Sequence, residues 1–416
     1  MEPILNKRKI FNDPVYGFIT IPNELIFDLI EHPFFQRLRR IKQLGLTHLV
    51  YPGALHTRFH HAIGAMYLMS EAVETIRSKG HEITEQEEQA AYIAILLHDI
   101  GHGPFSHALE NCIVFDMTHE DLSELFMSKL NIEFNNKLKT AIKIFRNEYP
   151  KKFLHQLVSS QLDVDRLDYL KRDSFFTGVS EGVISSDRII KMLNVVDDSL
   201  VIEAKGIYSI EKFIIARRLM YWQVYLHKTV LSAESLLIKI LKRAKELAGK
   251  GIDLFATPAL KVFLYNNYSK SDFEKNPDLL YTFAKLDDFD IFTSVKVWSE
   301  HEDLILSTLC KNLTSRNLFK IEIQNKFFKS SYIENIRQAT AKTYKLKDSE
   351  IDYFVFFDTI GNNAYNPKSD KINILFKDNQ VVDIAEASDE LNISVLSKTV
   401  IKYYLCYPKN CMELLL

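Results

Sequence analysis

Three histidines and an aspartate fall within one decapeptide, His98-Asp99-Ile100-Gly101-His102-Gly103-Pro104-Phe105-Ser106-His107. An adjacent His-Asp pair offers one imidazole nitrogen and one carboxylate to a single ion. The glycines and the proline let the backbone turn, so that two more histidines face the same space. A divalent metal acting on a phosphate ester needs imidazole and carboxylate ligands, with open positions for water and a phosphate oxygen. The remaining ligands must come from elsewhere in the chain. Upstream, Thr57-Arg58-Phe59-His60-His61 brings histidine beside an arginine suited to phosphate, and downstream, residues 160–169 supply carboxylates. Taken alone, the His-Asp pair is as readily a pair of packed core residues as a metal site.

The elements that must position these groups are mostly helices. Ala62, Met66, Met69, Val73 and Ile76 recur at spacings of 4, 3, 4 and 3, the pattern of an amphipathic helix that begins at the upstream histidines. Thr84-x-x-Glu87 is a capping box and opens a helix running into His98, with Gly101 placed to end it. Thr118-x-x-Asp121 has the same form and opens another helix at His119. Further helices are expected around 153–173, 209–248 and 301–315. The tail is different: residues 318–323, 353–357, 372–376 and 403–407 are rich in β-formers, with a turn-rich stretch over 358–367. We place a boundary near 315, with a helical core over 1–315 that holds the candidate ligands between 56 and 170. A small α/β lobe over 316–416 follows.

Bulk properties narrow the function classes. Lys+Arg 52 against Asp+Glu 54 gives a net charge of −2, which argues against a nucleic-acid coat or a membrane-surface protein while leaving room for a local basic pocket. Cys112, Cys310, Cys406 and Cys411 have no CxxC spacing, so neither a zinc cage nor a disulfide framework is indicated. The apolar runs are too short to span a bilayer, and the polar start followed by the turn signature Asn12-Asp13-Pro14 carries no leader-peptide pattern. A soluble cytoplasmic protein is expected.

The ordered set His61, His98-Asp99 and Asp165 resembles the ligand pattern of the HD superfamily of metal-dependent phosphohydrolases. Asn12-Asp13-Pro14, the stretch from Gln36 to Gly45, the stretch from Pro52 to His61, the decapeptide itself, Thr118-His119-Glu120 and Asp163-Val164-Asp165-Arg166-Leu167-Asp168-Tyr169 extend the match. They look like the deoxynucleoside triphosphate triphosphohydrolase branch, in the style of the sterile-alpha-motif/HD enzymes without their extra N-terminal domain. The resemblance is strong over 9–315 and weaker in the tail. The cyclic-dinucleotide phosphodiesterase branch usually has Lys where His102 stands.

That resemblance implies a mainly α fold and hydrolysis of a dNTP to deoxynucleoside and inorganic triphosphate, on a divalent metal (Mg, Mn or Fe) held by His61, His98, Asp99 and Asp165. His107 matches the general acid for the leaving 5′-oxygen, and His102 and His119 the other active-site histidines. Glu120 would charge-balance His119, and Asp163 would do the same for His107. Arg58 and Arg166 match phosphate contacts, with Arg166 standing where Lys is frequent. Asp165, Tyr169 and Asp173 lie at i, i+4 and i+8, so one helix face carries a metal ligand, a ring and a carboxylate. The resemblance has Tyr169 closing off the 2′ position of the sugar and Asp173 with Gln43 binding the 3′-hydroxyl, Leu44 lying beside them. The alternative is Tyr169 as plain core. Asp168 and Arg172 read as a solvated i,i+4 pair.

Arg217, Tyr221, Tyr225 and Lys228 recur at 4, 4 and 3. Arg217 and Lys228 are implied to reach phosphates and Tyr225 the base, while Leu226 stands where Gln is common. Members of this branch are commonly tetramers activated by a nucleotide between subunits. Lys9, Asn12, Glu31, Gln36 and Arg39 match that regulatory pocket, with Glu31 in place of Asp. The competing reading makes Arg37, Arg39 and Arg40 helix-surface cations. Tyr365-Asn366-Pro367 lies in the expected assembly region of the tail. Two other functions stay open: phosphohydrolysis of a different nucleotide ester, and a non-catalytic nucleotide or nucleic-acid binding module. The near-neutral charge offers no support to the last.

Overall fold

The computed structural model describes residues 9–105, 114, 116–362, 364–367, 371–388 and 399–414, and it is mainly α. The helix expected from the 62–76 periodicity is α1 (Arg58–Ser78). All five periodic residues are buried, and so are Ile63, Ala65, Leu68 and Ala72, so α1 is enclosed on most sides rather than lying on the surface. The Thr84–Glu87 capping box opens α2 (Glu85–Leu97), and the Thr118–Asp121 box opens α3 (His119–Glu133), as the sequence predicts. Gly101 has a different task from the expected cap. The helix ends at Leu97, and a Cβ at Gly101 would lie 2.2 Å from the His119 carbonyl oxygen and 2.3 Å from the Ser123 nitrogen. Absence of a side chain there lets α3 lie directly against the turn that follows His98-Asp99.

The two long helical stretches are both broken, each at the site. The 153–173 stretch is Lys152–Val158 followed by α4 (Val164–Thr177). Asp163 caps α4, accepting from the Arg166 and Ser160 backbone N–H groups, both at 2.7 Å. The 209–248 stretch is α5 (Ile207–Met220), a π-turn over Tyr221–Tyr225, and α6 (Lys228–Gly249), which His227 caps.

The solvated pair expected of Asp168 and Arg172 is instead fully buried at the α1–α4 contact. Arg172 donates Nε and Nη2 to the two oxygens of Asp168 at 2.9 Å each, and Nη1 to Asp13 at 2.7 Å. Gly64 of α1 makes room for this: a Cβ there would meet Arg172 Nη2 at 2.0 Å and Asp168 Oδ1 at 2.2 Å. Asp13 arrives on a hairpin of β1 (Ile10–Asp13) and β2 (Gly17–Thr20) whose turn is the predicted Asn12-Asp13-Pro14 signature; Asp13 Oδ1 accepts from the Val15 and Tyr16 N–H groups.

A second hairpin, which the sequence pattern does not announce, pairs β3 (Leu193–Val196) with β4 (Ser199–Glu203) and turns at Asp197-Asp198, with φ 47° and 61°. Beyond 315, β5 (Lys320–Gln324), β6 (Phe356–Asn362) and β9 (Val400–Tyr407) form an antiparallel sheet in the order β5-β9-β6. The strand expected at 353–357 starts later, after a 3-10 turn over Asp348–Tyr353. The remaining strands, β7 (Asn373–Leu375) and β8 (Val381–Asp383), join the β3–β4 hairpin, with β7 parallel to β4. The tail thus shares a sheet with the helical part, and one apolar cluster runs from Ile19 through α1 and α2 to Phe354, Tyr365 and Cys406. At Tyr365-Asn366-Pro367, Gln161 clasps the Asn366 backbone, donating to its carbonyl at 2.7 Å and accepting from its N–H at 2.8 Å. Among the described residues no helix is long and apolar enough to cross a membrane.

Removing the guanidinium leaves two buried carboxylates uncompensated, so Arg172→Ala should lower unfolding free energy by about 3–5 kcal/mol. A urea titration checks this, and a loss under about 1 kcal/mol would contradict the buried network.

Candidate active site

His61 sits one turn into α1, His98 caps the end of α2, Asp99 follows it, and Asp165 lies in the first turn of α4. Three separate helix ends therefore aim four groups at one point. His61 Nε2 lies 3.1 Å from Asp165 Oδ1 and 3.9 Å from Asp99 Oδ2, and His98 Nε2 lies 3.3 Å from Asp99 Oδ1 and 3.5 Å from Asp165 Oδ1. Both Nε2 atoms are buried, and among the described residues neither makes a well-aligned hydrogen bond. Donor atoms about 3.0–3.4 Å apart are what an ion with bonds of about 2.1 Å requires at octahedral or tetrahedral angles. The outer nitrogens are already committed: His61 Nδ1 donates to Asp168 at 2.8 Å, and His98 Nδ1 to the Ile95 carbonyl at 2.6 Å. That fixes both rings with Nε2 facing inward, the usual arrangement of metal-ligating histidine. The residues present therefore fit a divalent metal.

The electrostatics agree. Burial works against charge on every member of the cluster, but specific partners override it. The carboxylates of Asp165 and Asp168 beside its two nitrogens push His61 up to about 10. His98 is raised chiefly by Asp99. Asp99 is held well below the usual carboxylate range by His98, His102 and Arg58, and Asp165 is lowered by His61 and His98. The site is thus built to stabilise positive charge between its carboxylates. His102 behaves in the opposite way: burial and the Arg58 guanidinium drive it well below its ordinary value, so its ring is neutral. It stacks on His119 at 3.9 Å, and Asp99, His102 and His119 form a second group whose donor atoms converge. Glu120 Oε1 lies 3.2 Å from His119 Nε2. Arg58 pairs with Asp99.

A cavity of about 600 Å³ opens beside the cluster. The structure places on its wall Gln43, Leu44, Arg58, His98, Asp99 and His102, with His119, Glu120, Asp165, Arg166, Tyr169, Asp173 and Tyr225 also lining it. His61 lies behind them, fully buried. At the end away from the histidines, Tyr225 donates to Asp173 at 2.8 Å, and Tyr169 and Tyr221 both contact Tyr225 edge-on. Burial and Asp173 raise the Tyr225 phenol well above its ordinary range, so it remains a donor.

Other expected residues lie elsewhere. Arg217 lines a neighbouring cavity of about 440 Å³ with strands of the tail, Tyr221 being common to both. Lys228 is exposed and lines neither. Asp163 is buried behind the wall, paired with Arg166, where burial pushes it up to about 6 against the pull of that arginine. His107 lies outside the described residues. Lys9, Asn12, Glu31, Gln36 and Arg39 gather on a separate surface. Lys9 pairs with Glu31 at 3.1 Å, Arg39 donates to Gln36 at 2.9 Å and stacks over Phe59 at 3.5 Å, and Phe59 touches Phe11 next to Asn12. Arg37 is not a surface cation: it is fully buried, burial lowers it to about 9, and it donates to the carbonyls of Ile100 and His102 at 2.6 and 2.9 Å. It therefore pins the turn after Asp99. Three residues of the site, His56, Asp168 and Tyr221, are not assigned to it by the sequence pattern. The i,i+4 spacing of Tyr221 with Arg217 and Tyr225 was a usable signal for the last.

A helical scaffold that brings His, His-Asp and Asp together beside a cavity lined by Arg58 and Arg166 defines a metal-dependent phosphohydrolase of the HD type. The HD-domain family profile matches residues 58–173, and that of the HD associated region residues 184–254. The chain belongs to the HD-domain phosphohydrolase family. It is similar to a phosphohydrolase from Bacteroides thetaiotaomicron, with 57% identity and a TM-score of 0.93 over 96% of this chain and 100% of that one. It is 34% identical to YwfO of Bacillus subtilis over 98% of this chain and 93% of the relative. It is also 33% identical to the deoxynucleoside triphosphate triphosphohydrolase SAMHD1 homolog of Dictyostelium discoideum, over 57% of this chain and 50% of that protein.

His98→Ala should reduce bound divalent metal at least about tenfold, measured by elemental analysis after dialysis, because it removes an inward-facing ligand. Metal content equal to that of the unaltered protein would exclude His98 as a ligand.

Proposed function

We propose that this protein hydrolyses deoxynucleoside triphosphates to deoxynucleoside and inorganic triphosphate. The observation that carries the reading is the order of groups along one cavity: the His/Asp cluster with Arg58 and Arg166, then the Tyr169 ring, then Asp173 with Tyr225 and Gln43. A phosphate ester at the cluster, a sugar over the ring and a hydroxyl at the carboxylate match that order and spacing.

His61, His98, Asp99 and Asp165 would hold a divalent ion, which would supply Lewis acidity toward a phosphate oxygen and lower the pKa of a water. Arg58 and Arg166 neutralise the triphosphate, and Asp163 keeps the Arg166 fork in place. Neutral His102 has an acceptor or a donor to offer at the reacting phosphate without adding charge. Water attacks the α-phosphorus, the bond to the 5′-oxygen breaks, and that oxygen takes a proton, a role we assign to His107. Asp173 accepts the proton of the 3′-hydroxyl, Gln43 binds the same hydroxyl through its side-chain amide, and Tyr169 fills the space of a 2′-hydroxyl. The similarity to triphosphohydrolases such as the Dictyostelium protein supports this substrate class. We also propose a homo-oligomer, a tetramer by the resemblance, activated by a nucleotide at the surface that gathers Lys9, Asn12, Glu31, Gln36 and Arg39.

Incubation with dNTPs and NTPs, singly and in mixtures, with Mg or Mn and chromatography of the products tests the reading. Release of inorganic triphosphate is the expected result; monophosphate or diphosphate products, or none, would sink it. Tyr169→Ala should narrow the preference for dNTP over NTP by about 10–100-fold in kcat/KM, since the packed ring excludes the extra hydroxyl. His107→Ala should abolish turnover and leave metal content unchanged.

A further inference from the structure

We propose that His56 is a positioning residue for the sugar end of the cavity, its ring fixing the carboxylate of Asp173 and its main chain fixing Gln43. This rests on the deoxynucleotide reading above. His56 is buried, and its Nε2 donates to Asp173 Oδ1 at 2.7 Å while Tyr225 holds Oδ2 from the other side. The carboxylate plane is therefore set by two donors from different elements. Each carboxylate oxygen has a second lone pair, so one acceptor direction per oxygen remains for a ligand hydroxyl.

The same residue holds Gln43. The His56 carbonyl accepts from the Gln43 N–H at 3.0 Å, and Lys42 bridges to Thr57 next to it. Gln43 Oε1 is buried without a partner among the described residues and belongs to the same cavity wall. The imidazole is itself immobilised. It stacks on Phe176, three residues after Asp173 on α4, with ring centroids 4.5 Å apart and planes at 19°. The loop carrying it lies against that helix end at Gly53, where a Cβ would sit 2.5 Å from the Phe176 carbonyl oxygen. His56 thus joins the loop bearing Gln43 to the helix bearing Asp173. A site that reads one hydroxyl from two side chains needs their positions fixed to within a fraction of an ångström.

The test compares the unaltered protein with His56→Leu, His56→Asn and His56→Gln, using dNTPs and their 2′,3′-dideoxy counterparts. Glutamine can place an N–H near the position of Nε2; asparagine is too short and leucine has none. The Leu and Asn variants should raise KM for dNTPs about tenfold, the factor that about 1.4 kcal/mol represents. Their kcat, and their kcat/KM for dideoxynucleotides, should stay within about twofold, and Gln should restore dNTP KM to within about threefold. Equal losses on both nucleotide classes, an unchanged dNTP KM, or failure of Gln to restore it would overturn the proposal. Crystal structures of the Leu and Asn variants decide it independently of substrate: a rotated Asp173 carboxylate upholds the proposal, and an unmoved one overturns it. If the unaltered protein hydrolyses neither class, the deoxynucleotide reading fails, and the position of the Asp173 carboxylate in those crystals alone decides the role of His56.

Discussion

A carboxylate buried to orient a histidine of the candidate metal cluster sets the terms for the rest of the structure. Asp168 accepts from His61 Nδ1 and so turns Nε2 toward Asp99 and Asp165. Desolvating that charge is unfavourable by several kcal/mol unless it is paired and hydrogen-bonded. Arg172 meets both oxygens of Asp168 and passes its remaining Nη1 to Asp13, which ties in the N-terminal hairpin. Arg37 has a comparable role on the other side of the cluster, holding the backbone carbonyls of Ile100 and His102 from within the core. The geometry of the His/Asp cluster is thereby fixed by buried polar groups drawn from four parts of the chain.

The sequence reveals the elements that repeat or begin with a cap. The 62–76 periodicity and the boxes at Thr84 and Thr118 each give their helix, because apolar spacing and side-chain capping are local. The metal set is legible as an ordered pattern of residue types, and the cavity gathers most of the groups that pattern implies. What stays hidden depends on facing surfaces. An i,i+4 Asp-Arg pair looks the same whether it meets water or the bare face of Gly64. Arg37 is indistinguishable from Arg39 and Arg40 until its burial is known. The breaks at 159–163 and 221–227 fall in sequences that remain helix-compatible, and β3 and β4 are too short to announce themselves.

The π-turn over Tyr221–Tyr225 shows how one irregularity serves two spaces. Tyr225 at its end donates to Asp173, Tyr221 at its start lies between the two cavities, and His227 just beyond it caps the next helix. Arg217, one turn before it, faces the tail strands rather than the His/Asp cluster. A helix that continued regularly would carry Tyr221, Tyr225 and Lys228 on one stripe, as their spacing proposes. The extra residue per turn separates Lys228 from the others.

The parallel pairing of β4 with β7 bears on how the chain is made. Val201 finds its partner at Asn373, and Gln161, just before the helix bearing Asp165, is clasped by Asn366. Such distant pairings close late, since their loop entropy must be met before the contact rewards it. Without the tail, the β3–β4 hairpin of the helical part would carry an open sheet edge at β4. Nascent chains halted before the tail is made would present an unpaired strand and invite association with one another. The tail is in this sense a chaperone segment that the chain supplies to itself in its last hundred or so residues.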